Sequence, residues 1–241
     1  MSWFYPKPVD LPIRLPRQLP KRGIPSFIGE ADQVLNLLQH HGAGTTIRDY
    51  SGYGNHGVTS GGARWVDGPW GWAIEYPGLA GNRIQIPDNP SLRGMAKVTV
   101  ELWLYLNQFN VVQNLLSVGE PAAPINYQLY IDGTNRPGFG VLTGGGWQVA
   151  LGFSALGVGW NLLQGVYDGA SVQIYLNTVA DDGTPPAQAG NVTNNAGFTR
   201  IGTRNGANLR GIIAFPRIYA TALTATQRTR HYEPIRSIFG V

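Results

Sequence analysis

The sequence predicts an all-β protein: a two-sheet antiparallel β-sandwich of the jelly-roll type, with one short C-terminal helix and an extended N-terminal arm. Three observations carry this. More than ten short apolar runs follow one another at near-regular spacing, separated by Gly, Asn, Asp and Pro clusters such as Asp132-Gly133, Asp168-Gly169, Asp182-Gly183 and Asn205-Gly206. The 241 residues include 33 glycines and 17 prolines but only 13% charged residues, which suits tight turns between strands better than long helices. Finally, Val98–Leu106 (VTVELWLYL) alternates strictly, with Val98, Val100, Leu102, Leu104 and Leu106 on one face and Thr99, Glu101, Trp103 and Tyr105 on the other. A strand of that length and character belongs at the centre of a sheet.

Residues 1–33 read as an arm and 34–241 as one domain. In the arm, prolines at 6, 8, 12, 16, 20 and 25 fix φ and push their predecessors toward extended backbone, so no helix forms there. Trp3, Phe4, Tyr5, Leu11, Ile13 and Leu15 make it too apolar for a solvated linker. Within it, Lys7, Arg14, Arg17, Lys21 and Arg22 against Asp10 place the whole net charge of +4 on residues 1–29, leaving 13 basic and 13 acidic residues in 30–241. The expected strands then run through Val34–Leu38, His56–Ser60, Arg64–Val66, Trp72–Tyr76, Arg83–Ile86, Val98–Leu106, Leu115–Val118, Tyr127–Ile131, Gly138–Leu142, Trp147–Gly152, Leu162–Tyr167, Val172–Leu176, Thr199–Ile201 and Gly211–Tyr219. Thr224 with Gln227 three residues on is a capping box, so a helix is expected over Ala225–Tyr232 and ends at Pro234. The tail Ile235–Val241 is short and apolar.

Asp49-Tyr50-Ser51-Gly52-Tyr53-Gly54-Asn55-His56-Gly57 reads as a compact loop whose Asp, Ser and Asn side chains bond nearby amides. With the Trp65-to-Gly71 segment (WVDGPWG), the Val98–Trp103 strand, the Trp160-to-Gly169 hairpin entry (WNLLQGVYDG) and the Arg217-to-Gln227 helix entry, it resembles the concanavalin A-like lectin/glucanase superfamily, and within it the laminin-G-like jelly-roll branch. The resemblance covers about residues 34–233. It implies a jelly roll, a fold that hosts lectins, hydrolases and structural modules alike. Two departures stand out: Gly211–Tyr219 lacks the acidic residue that relatives often carry in the penultimate strand, and a proline-rich strap stands where relatives often have an export signal.

Hydrolysis on such a fold needs two neighbouring carboxylates. Glu101 has no acidic partner at i+2 or i+4, and neither a G-x-S-x-G elbow nor a matched histidine is present, so no enzyme is expected. His40 and His41 point to opposite faces of a strand, and His56 and His231 stand alone in the sequence. No cofactor is required by the pattern. Calcium is the ion that Asp49 and Asn55, or Asp181 and Asp182, would take, with turn capping the competing use of the same residues. Trp70, Trp72 and Tyr53 are the candidates for a sugar-stacking surface, whereas Trp103 and Trp160 read as core. With no cysteine, disulfides and thiolate metal sites are excluded.

The first 16 residues lack an apolar signal core, and no run approaches the ~20 apolar residues of a membrane helix. A nucleic-acid tail would be denser in Lys and Arg than the arm is. Trp3, Phe4, Tyr5, Leu11, Ile13, Arg14, Leu15, Arg17, Lys21 and Arg22 are instead expected to dock on protein. The resulting expectation is a non-catalytic structural or recognition protein, anchored by its arm to capsid or tail subunits as a virion component made in a host cytoplasm, in a homo-oligomer or lattice. The alternative is a free carbohydrate-binding, lectin-like module working outside the cell.

Overall fold

The computed structural model describes residues 30–38, 42–121 and 124–241. The expected docking residues, Trp3 to Arg22, and the His40-His41 pair lie outside the described residues. In chain order the strands are β1 (Gln33–Asn36), β2 (Thr46–Ile47), β3 (Gly57–Ser60), β4 (Arg64–Gly68), β5 (Gly71–Pro77), β6 (Arg83–Ile86), β7 (Val98–Leu106), β8 (Gln113–Glu120) and β9 (Tyr127–Ile131). They continue as β10 (Pro137–Thr143), β11 (Gly146–Leu151), β12 (Trp160–Tyr167), β13 (Val172–Leu176), β14 (Val179–Ala180), β15 (Phe198–Ile201), β16 (Thr203–Arg204), β17 (Ala207–Asn208) and β18 (Arg210–Tyr219). Two helices close the chain, α1 (Ala225–Tyr232) and α2 (Arg236–Phe239).

Two antiparallel sheets form a sandwich. The first runs β14-β13-β12-β7-β18-β5-β4, with β1 also pairing β18; the second runs β11-β10-β9-β8-β15-β6-β3-β2. The alternation in the sequence decides which face of each strand is buried. Val98, Val100, Leu102, Leu104 and Leu106 of β7 meet Ile84, Ile86, Leu116, Leu129, Phe139 and Ile201 in the core between the sheets. β7 lies between β12 and β18 in the first sheet.

Its other face is buried as well, under the C-terminal segment. Trp103 stacks on Phe239 at 4.0 Å between ring centroids and on Tyr232 at 5.8 Å, and Trp160, Ala214, Phe215 and Ile235 complete this second apolar cluster. The tail after Pro234 therefore adds the short helix α2, which was not expected: seven residues have little helical stability alone, but Ile235 and Phe239 bury against Trp103. Helix α1 matches its expected span, with Thr224 accepting from the Gln227 amide and the Gln227 side chain returning the bond. The outer face of the first sheet is thus roofed. That of the second sheet carries no such cover among the described residues.

Candidate functional site

The loop after β2 is built by one carboxylate. Asp49 accepts the Asn36 amide at 2.8 Å and the Ser51 amide at 3.0 Å on Oδ1, and the Ser51 hydroxyl at 2.7 Å and the Asn55 amide at 2.8 Å on Oδ2. Asn55 in turn donates to the Val34 carbonyl and the Ser91 hydroxyl. At the opposite edge of the sandwich, beyond β14, Asp181 accepts from the Ser154 amide and Asp182 from the Ile174 amide. The two candidate calcium loops are therefore separate, each carboxylate serving backbone nearby. Among the described residues no group of three or more His, Asp or Glu is gathered as metal ligands.

The three candidate stacking rings occupy three settings. Trp70, in the β4–β5 turn, is half-buried against the cluster under the C-terminal tail instead of standing free. Trp72 lies on the backbone of Gly42, where a Cβ would come within 2.1 Å of its ring. Tyr53 alone of the three is well exposed, at 53%. Trp103 and Trp160 are core, as expected.

A different aromatic surface forms on the outer face of the second sheet. Register places Leu142 opposite Trp147, Gly140 opposite Val149 and Gln128, and Gly138 opposite Tyr130, all pointing away from the core residues Phe139 and Val141. Two glycines in the middle of a strand leave room for rings to lie flat. A Cβ on Gly140 would fall 2.2 Å from Trp147, and one on Gly138 2.5 Å from Tyr130, so each ring rests directly on β10. Burial, and next the charge of Asp132, push the Tyr130 phenol up, so its hydroxyl stays a donor.

Beside the rings the same face turns polar. Gln128 donates to Asn114 Oδ1 at 3.0 Å, and Asn114 to the Thr203 carbonyl. Glu120, only 1% exposed, lies 2.7 Å from Arg204 Nε and 3.7 Å from Arg200 Nη1. Arg83 reaches Gln85 and the Gly81 carbonyl. None of these residues was singled out in the sequence. The usable signal was Gly138-Phe139-Gly140 inside a strand, a sign that something lies close against the backbone.

His231 is not isolated, contrary to expectation. Its Nδ1 is 3.0 Å from Glu101 Oε2 and its Nε2 is 2.8 Å from Glu30 Oε2, and Arg230 also pairs with Glu30. Glu101 takes Arg217 Nη2 at 2.6 Å and Gln164 Nε2 at 2.6 Å as well. All of this lies beneath α1 with Glu101, Arg217 and His231 wholly buried, so the Glu101 carboxylate is committed to holding the helix on the sheet.

A lectin-like sandwich with an aromatic sheet face that no helix among the described residues covers is what the geometry defines. Residues 79–227 match the laminin-G-type family of the concanavalin A-like lectin/glucanases superfamily, and the chain belongs to that family. Comparison with curated proteins finds no match. Among solved structures, the binding domain of Paraclostridial mosquitocidal protein 1 is similar with TM-score 0.69 and 13% identity over 84% of this chain and 52% of that one. Domain 4 of AbnA, a GH43 extracellular arabinanase from Geobacillus stearothermophilus solved with arabinotriose, is similar with TM-score 0.66 and 20% identity over 83% of this chain and 98% of that one. The botulinum neurotoxin serotype G binding domain gives TM-score 0.67 and 14% identity, over 85% and 51%. The chain spans about half the length of the two toxin domains. At these identities the likeness is one of fold.

Proposed function

We propose that the protein is a non-catalytic carbohydrate-recognition module that binds on the outer face of its second sheet. The observation that carries this is the pair of rings, Trp147 and Tyr130, flattened on Gly140 and Gly138 on a sheet face that no helix among the described residues covers. A ring fixed by backbone on one side offers its other side to the C–H face of a sugar with little ordering cost. The half-buried Gln128 amide, held by Asn114, supplies hydrogen bonds to hydroxyls. That a domain solved with arabinotriose matches over nearly its whole length supports the reading. So does the engagement of Glu101 in a buried ion pair, which leaves it no part in hydrolysis. Glycan-array binding followed by titration of the best ligand tests it. Trp147→Ala should lose at least ~10-fold in affinity with unchanged circular dichroism, the removal of one stacking contact of ~1.5 kcal/mol; an array without hits, or a variant that binds as wild type, refutes it.

A second reading rests on the arm. Its apolar, proline-spaced and basic composition favours attachment to a larger protein assembly such as a capsid or tail, which would carry the recognition domain on a particle. Copurification with particles is the test, and a protein found only free in solution would overturn this reading.

A further inference from the structure

The charge on the open face goes beyond what a neutral sugar needs. Outward positions of β6, β8 and β15, with β16 beside them, hold Arg83, Arg200 and Arg204 against a single acid, Glu120. Arg83 spends its contacts on neutral acceptors, the Gln85 side chain and the Gly81 carbonyl. Residues 30–241 as a whole carry 13 basic and 13 acidic residues, so a local excess of two positive charges is a property of this face and not of the domain. Glu120 shows what the strip accepts. Its carboxylate lies between two guanidinium groups, 2.7 Å from one and 3.7 Å from the other. Two carboxylate oxygens cannot use the ten N–H donors that two guanidinium groups present. Arg200 and Arg204 stay 20% and 23% exposed, within reach of a ligand.

Register puts Arg200 in line with the rings. Arg200 pairs with Ser117, Ser117 with Gln128, Gln128 with Gly140, and Gly140 with Val149 beside Trp147. Four strand steps of ~4.8 Å make this row roughly 19 Å long, enough for several sugar rings in a chain and too long for one.

We propose that this face takes an acidic saccharide, an oligomer whose sugar rings stack on Trp147 and Tyr130 while carboxylate groups further along the chain pair with Arg200, Arg204 and Arg83. The proposal rests on the carbohydrate reading and adds the charge class of the ligand. Carboxylate is favoured because its planar pair of oxygens matches the guanidinium fork, as Glu120 already does.

Calorimetric titration of the full chain with oligogalacturonate, with a neutral arabinan oligomer of the same length, and with dextran sulfate tests it. The uronate should bind at least ~10-fold more tightly than the neutral chain, with the difference shrinking at ~0.2 M salt. Arg200→Gln and Arg83→Gln should each remove most of that difference, while Trp147→Ala should weaken both ligands. Because Arg204→Gln alone would strand the buried Glu120, Arg204 is tested together with Glu120→Gln. Equal affinity for neutral and acidic chains, or arginine variants that keep the full preference, overturns the proposal and leaves the carbohydrate reading standing. If neither oligosaccharide binds, this proposal fails, and the glycan array decides the carbohydrate reading. Dextran sulfate bound as tightly as uronate and indifferent to Trp147→Ala marks a plain polyanion patch and also overturns it.

Discussion

Arg217 and Glu101 face each other across β18 and β7 with Nη2 2.6 Å from Oε1, and neither side chain touches solvent. A bulge makes the meeting possible. Between Ala214 and Arg217 the β18 register shifts, with Phe215 at φ 51, and Arg217 comes opposite Glu101. Removing one partner leaves a buried charge uncompensated, so Arg217→Ala should cost about 3–5 kcal/mol in urea unfolding. Arg217→Lys, which keeps the charge and loses the fork, should cost less. A cost under ~1 kcal/mol for Arg217→Ala would show that water or another group replaces the guanidinium.

The same pair sets an acid limit. Burial alone would raise the Glu101 carboxyl, but the Arg217 guanidinium and then His231, together with hydrogen bonds from His231 and Gln164, bring it from 4.5 down to about 2. The folded value lies below the unfolded one, so this contribution is fully present above pH 4.5 and is lost as the pH falls toward 2. Asp132 and Asp168, lowered by hydrogen bonds from their own turns despite partial burial, add to the slope in wild type and variant alike. Stability measured from pH 5 to pH 2, an interval wider than the ordinary carboxylate range, should therefore fall more steeply for wild type than for Glu101→Gln. Coincident slopes would remove Glu101 from the account.

Most strands could be read from alternation because each buries at least one face: Arg83–Ile86, Val98–Leu106, Tyr127–Ile131 and Val172–Leu176 have the expected bounds. Helix α1 was legible from a local signal, the Thr224–Gln227 box. The candidate site was not. Whether Trp147 or Trp70 faces solvent depends on what covers each sheet, and Trp70 packs against an apolar cluster to which Ile235 and Phe239, at the far end of the chain, contribute. The partners of His231 are equally remote, on β7 and just before β1.

Gly140 is a direct probe of the open face. A methyl group there would meet Trp147 Cζ2 at 2.2 Å, and because the ring is 39% exposed it can swing outward at modest cost. Gly140→Ala should therefore lower stability by only about 1 kcal/mol while weakening saccharide binding at least several-fold. Its tryptophan emission should move to the red relative to wild type, and a Trp147→Phe background should abolish that shift. Unchanged emission and affinity would mean that the ring does not depend on the glycine beneath it.

Glu30 marks where the arm can be cut without harm. Its carboxylate sits on His231 Nε2 at 2.8 Å and on Arg230, and its carbonyl accepts the Gln33 amide at the start of β1. His231 is buried and bridges Glu30 to Glu101, and a ring nitrogen bonds a carboxylate only through its N–H, so loss of Glu30 removes an acceptor from a buried donor under α1. Deleting residues 2–29 should leave a folded, soluble domain with nearly the wild-type melting temperature; on the reading that the arm attaches the protein to a larger assembly, this domain no longer joins it, since the whole charge excess and the apolar docking residues go with residues 1–29. Deleting residues 2–32 should remove the same function and also lower the melting temperature by several degrees, as a loss of ~1–3 kcal/mol would in a domain of this size. Equal melting temperatures for the two truncations would show that Glu30 holds nothing. A truncation at residue 29 that unfolds would make the arm an internal brace, and one that still joins the assembly would move the attachment surface onto the sandwich itself.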